Sequence, residues 1–173
     1  MLTAYRGWQL GNVDLMAALK DLTPEQLGTP ADRPIWASAA HLAGTRVYWL
    51  CHIFKEPGAE TTPFTDPSGV GWEDDLSHPR SAAEITGALA STGRIIERCM
   101  ETWTPESLSQ EARRVLADGR VQIHTRQSVL MRIITHDAFH IGEISSVLGT
   151  LGLSGRTPNG PIDMWAGLSH SAR

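Results

Sequence analysis

Apolar residues recur at helical spacing over four long stretches of the chain, separated by polar, proline- and glycine-rich segments. Over residues 2 to about 22, Leu2, Tyr5, Val13, Met16 and Leu19 gather on one helical face. That helix ends at "LTPEQL", where Thr23 can cap, Pro24 suits a first helical position and Gln26 completes a capping box for one further turn. From Trp36 to about Phe54 the chain is apolar nearly all round, with Leu42, Val47, Trp49, Leu50 and Ile53, the pattern of a buried helix. "SAAE" at 81–84 is a second capping box. Behind it Ile85, Leu89, Thr92, Ile96, Cys99 and Trp103 alternate steps of four and three, predicting a third helix that faces other helices. The fourth runs from about Arg126 to Leu151, with Leu130, Ile134, Ile141, Ile144, Leu148 and Leu151 as its core stripe and Gly152 as its stop.

Residues 55–80 hold many prolines and glycines and no sustained period, so they predict a long loop, of the kind that is disordered or covers a site. "WTPESL" at 103–108 repeats the earlier turn signal locally. "RRVLADGRVQIHT" alternates around Asp118-Gly119, a dipeptide suited to a tight hairpin, and predicts a two-stranded ribbon. The expected fold class is all-α: a four-helix bundle with a long loop between helices two and three and a small β-ribbon before helix four. At 173 residues the chain supports one good core, read as a single domain over 1–173.

Composition narrows the functional classes. With 41% apolar and 20% charged residues the chain reads as an ordinary soluble protein. A net charge of −4 and the lack of a basic patch argue against nucleic acid as a partner. No secretory leader pattern and no apolar run long enough to span a bilayer are present, so no membrane partner and a cytoplasmic location are expected. Cys51 and Cys99 fall inside helical patterns without Cys-x-x-Cys spacing and read as small buried residues.

The chemistry concentrates in "THDAFHIGEI", residues 135–144. His136 and His140 lie one turn apart, on one face with Ile133, Ile144 and Val147, so both are expected to point inward. Buried imidazoles need partners, and hydrogen bonds or a shared metal ion would each serve. The i, i+4 spacing suits two nitrogens to one ion. In the second helix His41 of "ASAAHLAGTRVYW" is a lone histidine among apolar residues. Alone it reads as a core histidine bonded to a neighbour; beside the pair on another buried helix it is a candidate third ligand facing them across the core. His52 lies about 16 Å further along the axis, too far to share the ion. His78 in the loop, His124 in the ribbon and His170 in the tail read as solvated, with His78 also a lid candidate.

Glu143 falls roughly on the ligand face and is the candidate catalytic residue. It could be an acceptor behind a ligand, a fourth ligand or a general base, against the plain reading of an exposed carboxylate at the rim. Asp137 projects about 100° away and could orient a ligand or pair with an arginine. Thr45, Trp36, Trp49 and Trp165 read as packing residues, and Trp72 as an aromatic with less core to join.

The lone histidine of helix two, "HDAFHIGEISSVLGTLGL" late in the chain and the terminal "PIDMW" together resemble the DinB-like superfamily of metal-binding four-helix bundles, over essentially the whole chain. The resemblance implies a divalent metal, zinc or nickel, held by His41, His136 and His140, and a homodimer. Asp137 stands where many relatives have Glu, which leaves the three ligands intact and weakens a zincin-type peptidase reading.

Three protein ligands leave a position open, the arrangement of catalytic rather than closed structural sites. An open position can take water or a sulfur and favour its deprotonated form. The relatives implied include transferases and isomerases that use mycothiol, bacillithiol or glutathione. The leading expectation is thus a metal-dependent S-transferase or isomerase using a low-molecular-weight thiol on a small-molecule electrophile. The competing expectations are a non-catalytic, metal-stabilised stress or interaction protein and a metal-assisted hydrolase.

Overall fold

Helix α1 (Leu2–Leu19) and the four-residue α2 (Pro24–Leu27) open the chain; the computed structural model describes residues 2–30, 33–64, 72, 76–153 and 162, with side chains from residue 7 onward. The capping box that starts α2 is formed, Thr23 Oγ1 accepting from Gln26 N–H and Gln26 Oε1 from Thr23 N–H. Helix α3 (Ile35–Val47) runs without a break into a π-helical turn (Tyr48–Ile53), so the second helical stretch spans the expected range but changes its winding at the end. Helix α4 (Ala82–Thr102) begins on the Ser81/Glu84 capping box, and α5 (Arg126–Thr150) begins on a similar arrangement of Thr125 and Ser128. Gly152, at φ 71°, closes α5 as expected of a left-handed C-terminal glycine, with Leu153 N–H bonded back to Leu148 O.

Helix α3 is central: it packs against both α4 and α5, and α1 packs against α4. All six expected seam residues of α4, Ile85 to Trp103, are buried. The close approach of α1 to α4 depends on Gly93, where a Cβ would meet Asn12 Nδ2 at 3.0 Å.

Two expected faces each lose a residue at the surface and gain a polar one in the core. In α1 Val13 is 53% exposed, and the buried side runs through Trp8, Asn12, Leu15 and Leu19. That row has a helical period too, but a polar Asn sits in it, so apolar spacing alone favours the wrong side. In α5 Leu130, Ile141, Ile144 and Leu148 are buried as expected and Leu151 is exposed, while Val129, Ile133 and Asp137 join the buried row. A carboxylate thus occupies the middle of the buried α5 row.

The ribbon is present as β1 (Glu111–Val115) and β2 (Val121–Thr125), antiparallel, with Glu111 opposite Thr125 and Val115 opposite Val121. Gly119 takes φ 81° in its turn. One ribbon face leaves Val115, Val121 and Ile123 exposed. The other lies on the π-turn: His124 meets the Trp49 ring edge-on at 4.7 Å, and the Arg114 guanidinium sits near both Tyr48 and Trp49. His124 is therefore half-buried against an aromatic rather than solvated, because the strand register turns it inward.

Of the loop after the π-turn, Phe64 is buried and meets Trp72 at 5.3 Å, with the Arg80 guanidinium 4.4 Å from the Trp72 ring. Glu56 ties this loop to two helices, accepting from Trp103 Nε1 at 3.0 Å and Arg126 Nη2 at 2.6 Å. Among the described residues no helix is long and apolar enough to cross a membrane.

Candidate metal centre

His41 projects from the middle of α3, and His136 and His140 project from the middle of α5, the helix packed beside it. Their ring centroids are 4.5–5.1 Å apart pairwise, and one nitrogen from each can be chosen so that all lie within 4.8 Å of one another. His41 Nε2 and His136 Nε2 are already 3.0 Å apart. Zinc–imidazole bonds of ~2.1 Å set ligand nitrogens roughly 3.4 Å apart in a tetrahedron, so a cation needs only a modest readjustment of the three rings. Among the described residues no fourth His, Cys, Asp or Glu joins this group.

The histidines do not occupy the centre of the α5 seam. His136 and His140 are 24% and 17% exposed, whereas Asp137 is fully buried. On a helix, positions 136 and 140 lie one step aside from the row 133, 137, 141, so the imidazoles line its edge and retain access to solvent. Access of this kind suits a site that must admit a ligand.

Glu143 stands one turn beyond His140, with its Oε2 2.7 Å from His140 Nδ1. A carboxylate only accepts, so Nδ1 carries the proton and Nε2 keeps its lone pair for an electrophile or cation. Burial holds the His140 imidazole below its ordinary pKa of 6.5; Glu143 pulls it the other way, and the other two histidines reinforce the lowering. A neutral ring is the form that ligates. Glu143 thus stands as a hydrogen-bond acceptor to the His140 ring.

Asp137 is the partner of an arginine. Its Oδ2 accepts from Arg46 Nη2 at 2.7 Å, Arg46 Nε at 3.0 Å and Trp8 Nε1 at 2.7 Å, joining α5 to α3 and α1. Arg46 is also fully buried and reaches Leu89 O and Thr92 Oγ1 on α4. Burial alone would raise the Asp137 pKa, but the Arg46 charge, the nearby His136 ring and the bonds from Trp8 and Arg46 outweigh it and hold the carboxyl below 3.8. Arg46 was the residue that apolar periodicity missed. Its signal was a single guanidinium in a helix otherwise apolar all round, with a single carboxylate in the facing stripe.

Beside Glu143 a cavity of about 270 Å³ opens between the start of α3 and the second half of α5, lined by Ile35, Ser38, Ile144, Val147 and Arg33. Ser38 is one turn before His41, so the cavity continues the row of the histidines.

The remaining candidates do not join the centre. His52 packs on Tyr48, His124 on Trp49, and His78 is exposed. Trp36 and Trp49 are buried, and Thr45 is half-buried on α3. His170, Trp165 and all of "PIDMW" but Ile162 lie outside the described residues; Ile162 is buried. Burial pushes the thiols up, Cys51 to about 11 and Cys99 to about 12, so neither is a ready nucleophile.

Compared with known families, the chain matches the sequence model of the DinB superfamily over residues 10–144, a span that contains all three histidines. Comparison with curated proteins and with solved structures gives no significant match.

Proposed function

The chain belongs to the DinB superfamily, and on that premise we propose that it is a metal-dependent S-transferase or isomerase that uses a low-molecular-weight thiol on a small electrophile. In this reading α1, α3, α4 and α5 form a four-helix bundle, and His41, His136 and His140 hold one divalent ion, zinc or nickel, in its interior. The observation that carries it is the convergence of three half-buried imidazoles from two helices without a fourth protein donor among the described residues, which leaves a coordination position for substrate. When bound, such an ion favours the deprotonated form of a thiol at that position.

The chain's own residues supply the rest. Glu143 fixes the His140 ring through Nδ1 and, standing on the wall of the adjoining cavity, is available to take up the thiol proton. Ile35, Ile144 and Val147 offer that cavity an apolar wall for the electrophile. The homodimer belongs to the same proposal; Met131 and Phe139 are exposed on α5, 56% and 63%, and light scattering of the purified protein checks it.

A second reading, a non-catalytic protein stabilised by its metal, draws on the direct attachment of the triad's helix to the buried Arg46–Asp137 pair. One set of measurements separates the two. Elemental analysis of the protein as isolated is expected to find stoichiometric divalent metal, lost in His41→Ala, His136→Ala and His140→Ala. Thiol addition to generic electrophiles is then assayed with several thiols, beside ester and amide hydrolysis without thiol. Activity that needs both metal and thiol supports the transferase, hydrolysis without thiol replaces it with a metal-assisted hydrolase, and chelation that lowers the melting temperature of a protein inactive throughout replaces it with the structural role. A metal-free parent removes all three.

A further inference from the structure

Two buried polar atoms face one another without a hydrogen-bond partner among the described residues: His136 Nδ1 and Asp137 Oδ1, 3.9 Å apart. Buried polar atoms are nearly always satisfied. The other Asp137 oxygen is saturated, holding Arg46 and Trp8, so the carboxylate is clamped with its unused oxygen towards the histidine. On the far side of the same ring, Nε2 faces His41 at 3.0 Å, inside the candidate site.

We infer that Asp137 is a positioning residue for His136, fixing its ring with the proton on Nδ1 and the lone pair of Nε2 turned to the metal, and that Arg46 and Trp8 hold Asp137 in place to do so. The inference rests on the metal reading above. A carboxylate next to Nδ1 stabilises the tautomer that carries its proton there, and closing 3.9 Å to a charge-assisted bond of ~2.8 Å takes a shift of roughly 1 Å by the ring. His140 and Glu143 already show the finished form of this arrangement on the neighbouring ligand. Glu143 is 41% exposed, however, while Asp137 is sealed at 0%. The buried carboxylate therefore has no water competing for its oxygen, and its orientation is set by α1 and α3 rather than by solvent. Metal occupancy at one face of α5 is thus tied to packing across three helices.

The experiment compares the full-length parent, Asp137→Asn and the triple variant Trp8→Phe, Arg46→Met, Asp137→Leu, which exchanges the whole polar cluster for apolar groups. Buried ion pairs replaced in this manner commonly leave stability unchanged or raised. Zinc affinity is read by competition with a chromogenic chelator, and folding by melting of the metal-free proteins. The expected result is a triple variant that melts near the parent yet binds zinc about 10–100-fold more weakly, with Asp137→Asn also weakened. Recovery of both properties together, with zinc affinity within about twofold of the parent, would show a merely structural cluster and overturn the inference. A measurement on the parent stands apart from whether the variants fold: in the cobalt(II)-loaded protein the His136 Nδ1 proton is expected as a slowly exchanging resonance, and exchange as fast as that of free imidazole overturns the inference. A parent that takes up neither zinc nor cobalt overturns the metal reading itself, a different failure from a parent that binds zinc without needing Asp137.

Discussion

Glu143 and His140 are joined by a 2.7 Å hydrogen bond between Oε2 and Nδ1, one turn apart on α5. The bond decides which imidazole nitrogen is free. Glu143→Ala is expected to weaken zinc binding by about 10–100-fold, as removal of such outer partners commonly does. Glu143→Gln keeps an acceptor and should retain more of that affinity. If Glu143 also accepts the thiol proton, Glu143→Gln lowers kcat at saturating zinc; unchanged kcat in the thiol assay would confine Glu143 to orienting His140.

The cysteines are expected to be silent. With its pKa pushed up to about 11, Cys51 is thiolate in roughly one molecule per thousand at pH 8; Cys99, at about 12, is lower still. Mass spectrometry after brief iodoacetamide treatment of the folded protein should find both unmodified, and full labelling after denaturation. A Cys51→Ser, Cys99→Ala protein should keep the thiol-transfer rate, since the sulfur nucleophile comes from the added thiol.

His124 gives the fold a mild pH dependence. Burial, Arg132 and Arg114 hold its pKa below 6.5. Because the folded value is depressed, its contribution to stability is present above the ordinary 6.5 and is lost as pH falls through the folded value. An NMR titration should place its midpoint below 6.5. The melting temperature of His124→Phe should then fall less than the parent's between about pH 7 and 5; equal slopes would remove His124 as the cause.

Glu56 anchors the long loop by accepting from Trp103 and Arg126, and the Arg126 and Glu56 side chains are only 15% and 13% exposed. Glu56→Ala leaves a largely buried guanidinium and an indole N–H without this acceptor, at an expected cost of about 1–3 kcal/mol. A drop in melting temperature with unchanged zinc affinity checks that the loop anchor is independent of the metal centre.

The legible part of this molecule was the part written in repeated apolar positions. The seam of α4 could be read residue by residue, and the punctuation at Thr23, Ser81, Asp118-Gly119 and Gly152 marked real boundaries because each depends on local backbone chemistry. His41, His136 and His140 could be brought together because a histidine is conspicuous among apolar neighbours. The same method misplaced Val13 and Leu151 and passed over Asn12 and Asp137, because both are polar; Asp137 is buried against Arg46 and Trp8, which are distant in sequence. The inward turn of His124 follows from strand register against Trp49, and the π-turn from packing, neither of which leaves a periodic mark.

Arg46 and Asp137 are 91 residues apart in the chain and wholly sealed from water in the fold. A helix whose contacts were only methyl groups could slide along its neighbour with little penalty. Here, a slide of α5 by one turn would bring Ile133 or Ile141 opposite the guanidinium and strand a cation without its counter-charge, at roughly 3–5 kcal/mol. The pair thus works as an indexing pin between α3 and α5, and the alignment it selects is the one that sets His41 level with His136 and His140.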